Sequence, residues 1–268
     1  MKKVILLSAT FLFAHFCFSQ QKTILFVLSA ADTLELNDGK KMRQTGVFLN
    51  EFYQAYKAVT DAGFLVDFST PNGVASTIDN ESKHDSYWKN ELESKKEALH
   101  FIEDNQQFKN PIPLEAAIEK KNRYAGLIIP GGQGLMVDLA YDENIPILLR
   151  HFADEQKPTG LICHAPSLLL TLRKDNNPYL GYKVNAVSPF EEFVIENFIM
   201  KGKPENRKIA KKLKKTGFKY KSGPPKANFA VRDRNLVTSQ NPYSGDAFNS
   251  LFLEALTEYQ KKYGANLE

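Results

Sequence analysis

The sharpest chemical signal in this 268-residue sequence is Gly160-Leu-Ile-Cys163-His164-Ala-Pro166. Thr159–Cys163 is a short apolar run of the kind that forms a buried strand, and Ser167–Leu172 is expected to begin the next helix. A strand that delivers a reactive side chain to a sharp turn before a helix is the nucleophile-elbow arrangement, here with cysteine in the place of serine. A helix N-terminus carries partial positive charge, so the thiol of Cys163 is expected to titrate below a free cysteine. The competing reading is a buried small hydrophobe, which free cysteine often is. The adjacent His164 favours a functional thiol, because an imidazole beside a thiol can serve as its base.

Cysteine usage sharpens the point. The sequence holds two cysteines, Cys17 and Cys163. Met1-Lys2-Lys3 is a short positive start, Val4–Phe18 is almost unbroken apolar sequence, and Cys17-Phe18-Ser19 offers small residues at the −3 and −1 positions of a cut before Gln20. This pattern predicts a secretory signal peptide over residues 1–19 and an exported, periplasmic or secreted protein. A buried first strand or a membrane anchor is the alternative, but the run is short for a spanning helix of about 20 residues. Ala14-His15-Phe16 ahead of Cys17 is a poor lipoprotein signal. Over residues 20–268, Cys163 then stands alone, and no intramolecular disulfide can form. A lone cysteine in an exported chain points first to a free reactive thiol.

The elements that must position this thiol are legible in outline. Composition is 43% hydrophobic and 25% charged, with a net charge of +4, which excludes disorder and gives no electrostatic argument for nucleic acid. Without Lys2 and Lys3 the excess falls to about +2. Thr23–Ser29, Phe64–Thr70, Ala125–Pro130 and Thr159–Cys163 are apolar runs rather than alternating ones, as in parallel strands covered on both faces. Lys183–Val187 reads as another strand. Residues 229–231 and 236–239 read as a hairpin. Helices are expected over 45–63, closed by Gly63, over 145–155 and over 244–259, with helical stretches near 89–105 and 113–121. Alternating strands and helices predict a single-domain α/β sandwich of three layers with a mostly parallel sheet over residues 20–268. The polar stretch 74–122 is expected as an insertion beside that sheet.

Four motifs, in order, resemble the ThiJ/PfpI superfamily. They are Thr45-Gly-Val-Phe-Leu-Asn-Glu51, Ile129-Pro-Gly-Gly-Gln-Gly-Leu-Met-Val-Asp138, the Cys163 elbow, and Leu236-Val-Thr-Ser-Gln-Asn-Pro242. They span most of residues 22–260, and the heat-shock-protein-like glyoxalase III branch is the most similar. The resemblance implies a class I glutamine amidotransferase-like, flavodoxin-like fold. It implies an enzyme that converts a 2-oxoaldehyde such as methylglyoxal or glyoxal to the 2-hydroxy acid without glutathione (a D-lactate dehydratase type of lyase), or a related deglycase, with no cofactor. The implied partners are a small aldehyde, glycated or unfolded proteins, and a second copy in a homodimer. No nucleic acid, and no membrane once the leader is removed, is implied. A holding chaperone or redox sensor without turnover, and a cysteine amidase or peptidase, are the alternatives on the same scaffold.

The same resemblance assigns roles. Cys163 matches the nucleophile and His164 its general-base partner. An acid about 30 residues further on falls in Ser188-Pro-Phe-Glu191-Glu192, with Glu192 expected to orient His164 and Glu191 as the other register; without the resemblance the two would read as a solvated acidic pair. Glu51 matches an acid that reaches the thiol, and its apolar neighbours Phe48, Leu49, Phe52 and Tyr53 make a raised pKa reasonable. Gly131 and Gly132 would let backbone amides face an oxyanion. Gln133, a substrate-binding candidate, stands where the family more usually has histidine. His84, Asp85, Glu91 and His100 lack the spacing of a metal site, so none is expected. His151 reads as a surface helix residue. Lys201–Lys221 holds ten basic residues interrupted by Ile209, Leu213 and Phe218, which reads as a solvated lysine-rich helix packing one apolar edge on the sheet, with a nucleic-acid or anionic-membrane face as the alternative.

Overall fold

The computed structural model describes residues 23–88 and 91–263. The expected signal peptide over residues 1–19 lies outside them. Seven strands form the central sheet: β1 (Thr23–Val27), β4 (Leu65–Thr70), β5 (Ile112–Pro113), β6 (Tyr124–Ile129), β7 (Thr159–Ile162), β10 (Ala230–Asp233) and β11 (Leu236–Ser239). Their order is β10-β11-β7-β6-β1-β4-β5, and every pair is parallel except the β10–β11 hairpin. β1, β6 and β7 are buried at every position, as continuous apolar runs require in a sheet covered on both faces.

The helices are α1 (Leu49–Asp61), α2 (Leu92–Asp104), α3 (Gln106–Lys109), α4 (Leu114–Glu119), α5 (Asn144–Asp154), α6 (Pro189–Val194), α7 (Ile209–Thr216) and α8 (Gly245–Tyr263). α1 packs on α8, and α4 packs on α5. The chain leaves β1 through α1 toward β4 on one side, and leaves β6 through α5 toward β7 on the other. Such a reversal of direction opens a crevice beyond the carboxyl ends of the strands, where open α/β sheets bind their ligands.

Several expectations need correction. After β7 the chain forms a six-residue 3₁₀ run, Ala165–Leu170, and not the α-helix expected from Ser167. Fewer aligned peptides bring less dipole to Cys163 than that helix would. The strand expected over 183–187 shortens to β8 (Lys183–Val184), which pairs with β9 (Lys219–Tyr220) away from the central sheet. The stretch 74–122 is not wholly beside the sheet, since β5 extends its edge by pairing with Ser69 and Thr70. A hairpin of β2 (Thr33–Leu36) and β3 (Lys41–Gln44) was not anticipated, although Asn37-Asp38-Gly39 between alternating strands is a strong turn signal. The basic segment keeps its apolar edge, with Ile209, Ala210 and Leu213 buried on α7, but that edge packs mainly on Ala165–Leu170 where the sheet was expected.

Candidate active site

Cys163 sits where β7 ends. Its N–H donates to the Ser239 carbonyl at 2.8 Å, and its carbonyl accepts from Val187 N–H at 2.9 Å. These bonds hold it at φ 59°, in the left-handed region that costs a non-glycine residue about 1–3 kcal/mol. The thiol there lies beside His164 and the Glu51 carboxyl. Sγ lies 3.2 Å from Nδ1 of His164, and both side chains are buried.

The loop after β6 closes the other side. A Cβ at Gly131 would lie 2.4 Å from Oε2 of Glu51 and 2.7 Å from Cβ of Cys163, so only glycine lets the loop pass. Gly132 adopts φ 113°, and its N–H donates to no protein acceptor among the described residues. It is therefore available to an oxyanion. Gln133 lines the cavity and also reaches His164. Its Nε2 lies 2.8 Å from Nε2 of His164, while its Oε1 is buried without a partner. Turning the amide over would let Oε1 accept from Nε2–H and free Nδ1 to take a proton from the thiol.

Glu51 comes from the first turn of α1 and is 4% exposed. The thiol of Cys163 and the Gly131 N–H lie alongside its carboxyl, but neither oxygen completes a hydrogen bond of good geometry. Burial therefore dominates and pushes its pKa from 4.5 up to about 8. Burial also drives His164 down to about 4, so the imidazole is neutral at pH 7. The Cys163 thiol is raised well above its ordinary value by burial, then by the Glu51 and Glu191 carboxyls. This reverses the expectation of a lowered thiol: the helix that would have supplied positive charge is a short 3₁₀ turn, and two acids face the sulfur.

The structure brings Cys163, His164, Glu51, Gly131, Gly132 and Gln133 together, but not Glu192. Glu192 Oε1 accepts from the N–H groups of Lys208 and Ile209, at 2.5 and 3.4 Å, and so caps α7. Glu191 faces the site instead. Its carboxylate accepts from Ser188 N, Lys226 N, Gln240 Nε2 and Asn241 Nδ2, all within 3.0 Å. The Ser188-x-x-Glu191 capping box explains the choice of register and was readable in the sequence. Neither acid is hydrogen-bonded to His164. Of the candidate metal ligands, Asp85 pairs with Lys95, His100 with Asp104, and Glu91 accepts from Gln54, each on an exposed surface.

Above the thiol opens a cavity of about 250 Å³. Sequence reasoning missed most of its wall. Phe48 and Tyr87 meet edge to face with centroids 5.0 Å apart, and Tyr243 follows 6.1 Å from Tyr87. Val194, Ile195 and Ile199 supply aliphatic surface from α6 and the π-helical turn Ile195–Ile199 that continues it. Nothing in a single local pattern marks these residues, because they come from four separate segments.

The DJ-1/PfpI family model matches residues 49–175. The protein/nucleic acid deglycase HchA of Escherichia coli is 22% identical over 230 residues, covering 85% of this chain and 78% of the relative. Among solved structures, Rapid Encystment Protein 24 kDa of Francisella tularensis superimposes with a TM-score of 0.73 at 23% identity, over 88% of this chain and 99% of that one. Glyoxalase III of Candida albicans superimposes with a TM-score of 0.71 at 21% identity, over 88% and 98%. Residues 49–175 thus match a DJ-1/PfpI family domain, and the likeness to the solved structures extends to the fold of most of the chain.

Proposed function

We propose that this protein is a cysteine-dependent enzyme that rearranges 2-oxoaldehydes to 2-hydroxy acids without glutathione. The observation that carries the reading is the cluster at Cys163: a strained, buried thiol 3.2 Å from a neutral imidazole, beside a carboxyl poised at about 8. A thiol held protonated needs a base as it attacks, and a neutral imidazole at that distance is one. The glyoxalase III and deglycase names of similar proteins support the same chemistry.

With the Gln133 amide turned over, Oε1 accepts from Nε2–H of His164, leaving the Nδ1 lone pair toward Sγ. The sulfur adds to the aldehyde carbon, its proton passes to Nδ1, and the carbonyl electron pair becomes an oxyanion facing the Gly132 N–H. Protonation gives the hemithioacetal. The hydrogen on that carbon then leaves as a proton, and a proton is delivered to the neighbouring ketone carbon, so the first carbon is oxidised as the second is reduced. A carboxyl near 8 can both give and take a proton around neutral pH, which suits Glu51 to this transfer. Water cleaves the resulting thioester and restores the thiol. Deglycation is the variant in which the same sulfur attacks a sugar-derived carbon on a modified side chain.

The test is lactate formation from methylglyoxal, and glycolate from glyoxal, by wild type and Cys163→Ala in the absence of glutathione. Turnover by the wild type that is lost in the variant is expected. Equal activity in both, or turnover of simple amides and not oxoaldehydes, would overturn the reading.

A further inference from the structure

We infer that the aldehydes this site prefers carry an aryl-sized apolar group, seated against Phe48, Tyr87, Tyr243, Val194 and Ile199. The inference rests on the 2-oxoaldehyde reading above and deepens it. Its first support is room. An apolar cavity of about 150 Å³ is enough to hold benzene, and this one, at about 250 Å³, opens directly on Cys163 and His164. The single methyl of methylglyoxal would leave most of that volume to water.

The second support is the chemistry of the wall. Arg43 pairs with Asp79 at 3.4 Å, Glu191 accepts four hydrogen bonds, and the Lys226 ammonium lies over the Tyr243 ring, 5.8 Å from its centroid. The Tyr87 hydroxyl donates to Glu81 at 2.8 Å, which leaves its ring to face a ligand without a polar demand. Most of the surface the cavity offers is therefore aromatic and branched aliphatic: Phe48 and Tyr87 meet edge to face, Tyr243 tilts against Tyr87, and Val194, Ile195 and Ile199 complete the wall. Rings favour such surroundings, through burial and through ring–ring geometry.

The third support is how the aliphatic wall is built. Ile195–Ile199 winds as a π-helix, a rare form that recurs at functional sites. Ile199, four residues beyond Ile195, is brought onto the same cavity. Val194 and Ile199 are not packed into the main core, so a wall of apolar side chains has been left only partly covered.

The experiment measures kcat/KM for phenylglyoxal and methylglyoxal, without glutathione, in wild type, Ile199→Asn and Val194→Asn. Discrimination by an apolar pocket is worth roughly 10-fold or more for a group of this size. The wild type is expected to favour phenylglyoxal by about that factor, and either folded variant to reduce the ratio about tenfold. Turnover of both aldehydes with no preference, or a ratio untouched in the variants, would overturn the inference while the oxoaldehyde reading stands. A second arm does not need turnover. Phenacyl bromide and chloroacetone each alkylate a thiol by displacing halide, and their rates at Cys163 are compared with those at free glutathione. A phenacyl preference above that of the free thiol, lowered in Ile199→Asn, sustains the aryl slot even if no aldehyde is turned over. Equal preference at Cys163 and at glutathione would overturn it.

Discussion

Replacing Glu51 by glutamine removes a carboxyl that folding forces to hold its proton. The interval between its ordinary 4.5 and about 8, at about 1.36 kcal/mol per pH unit, amounts to about 5 kcal/mol. The folded pKa is the higher one, so this group's contribution is most favourable below 4.5 and is lost as pH rises toward 8. At pH 7 the unfolded chain has released the proton and the folded chain still holds it, which costs about 3 kcal/mol relative to acid conditions. Glutamine has no charge to lose and similar volume. Urea unfolding of wild type and Glu51→Gln between pH 4 and 9 isolates the effect, because His164 and the other titrating groups are common to both and largely cancel in the difference. The stability of the variant relative to wild type should climb by about 1.36 kcal/mol per pH unit across the interval and level off above 8. A constant offset, whatever its size, would refute the claim that burial keeps Glu51 protonated, and with it the proton transfer assigned to that residue.

Two further outcomes follow from the same geometry. Glu191→Gln should cost about 2–4 kcal/mol of stability in urea, since a carboxylate accepting four donors is replaced by an amide that must present a donor to some of them, whereas Glu192→Gln should cost about 0.5–1 kcal/mol because its amide oxygen can still cap α7; the reverse ranking would return the site to the Glu192 register. Iodoacetamide labelling of Cys163 against pH should show a midpoint above the free-thiol value of about 8.5, moving down in Glu51→Gln; a midpoint below that value would restore the helix-dipole picture of an acidic thiol.

The parallel sheet, the place of Cys163 and the loops around it were all legible in the residues alone. Uninterrupted apolar runs have only one comfortable place in an α/β fold, between two layers of helix, and β1, β6 and β7 lie there. Cys163 and Gly131-Gly132 then follow at strand ends by simple continuation of the chain. Glu51 was legible as an acid in apolar company, and its raised pKa agrees with that reading. The Ser188-x-x-Glu191 capping box favours the Glu191 register, the second of the two the resemblance allowed, and distance from Cys163 along the chain does not separate them. What only the tertiary structure decided is everything that depends on through-space distance. The sign of the Cys163 shift turned on which charges converge on the sulfur, and two acids approach it from segments more than 25 residues away on either side. Gln133 turned inward to His164 because the strained elbow places that ring in its path. The apolar cavity is assembled from residues near 48, 87, 194–199 and 243, whose meeting depends on how the helices and loops close over the sheet, and no local pattern of residue types encodes that closure.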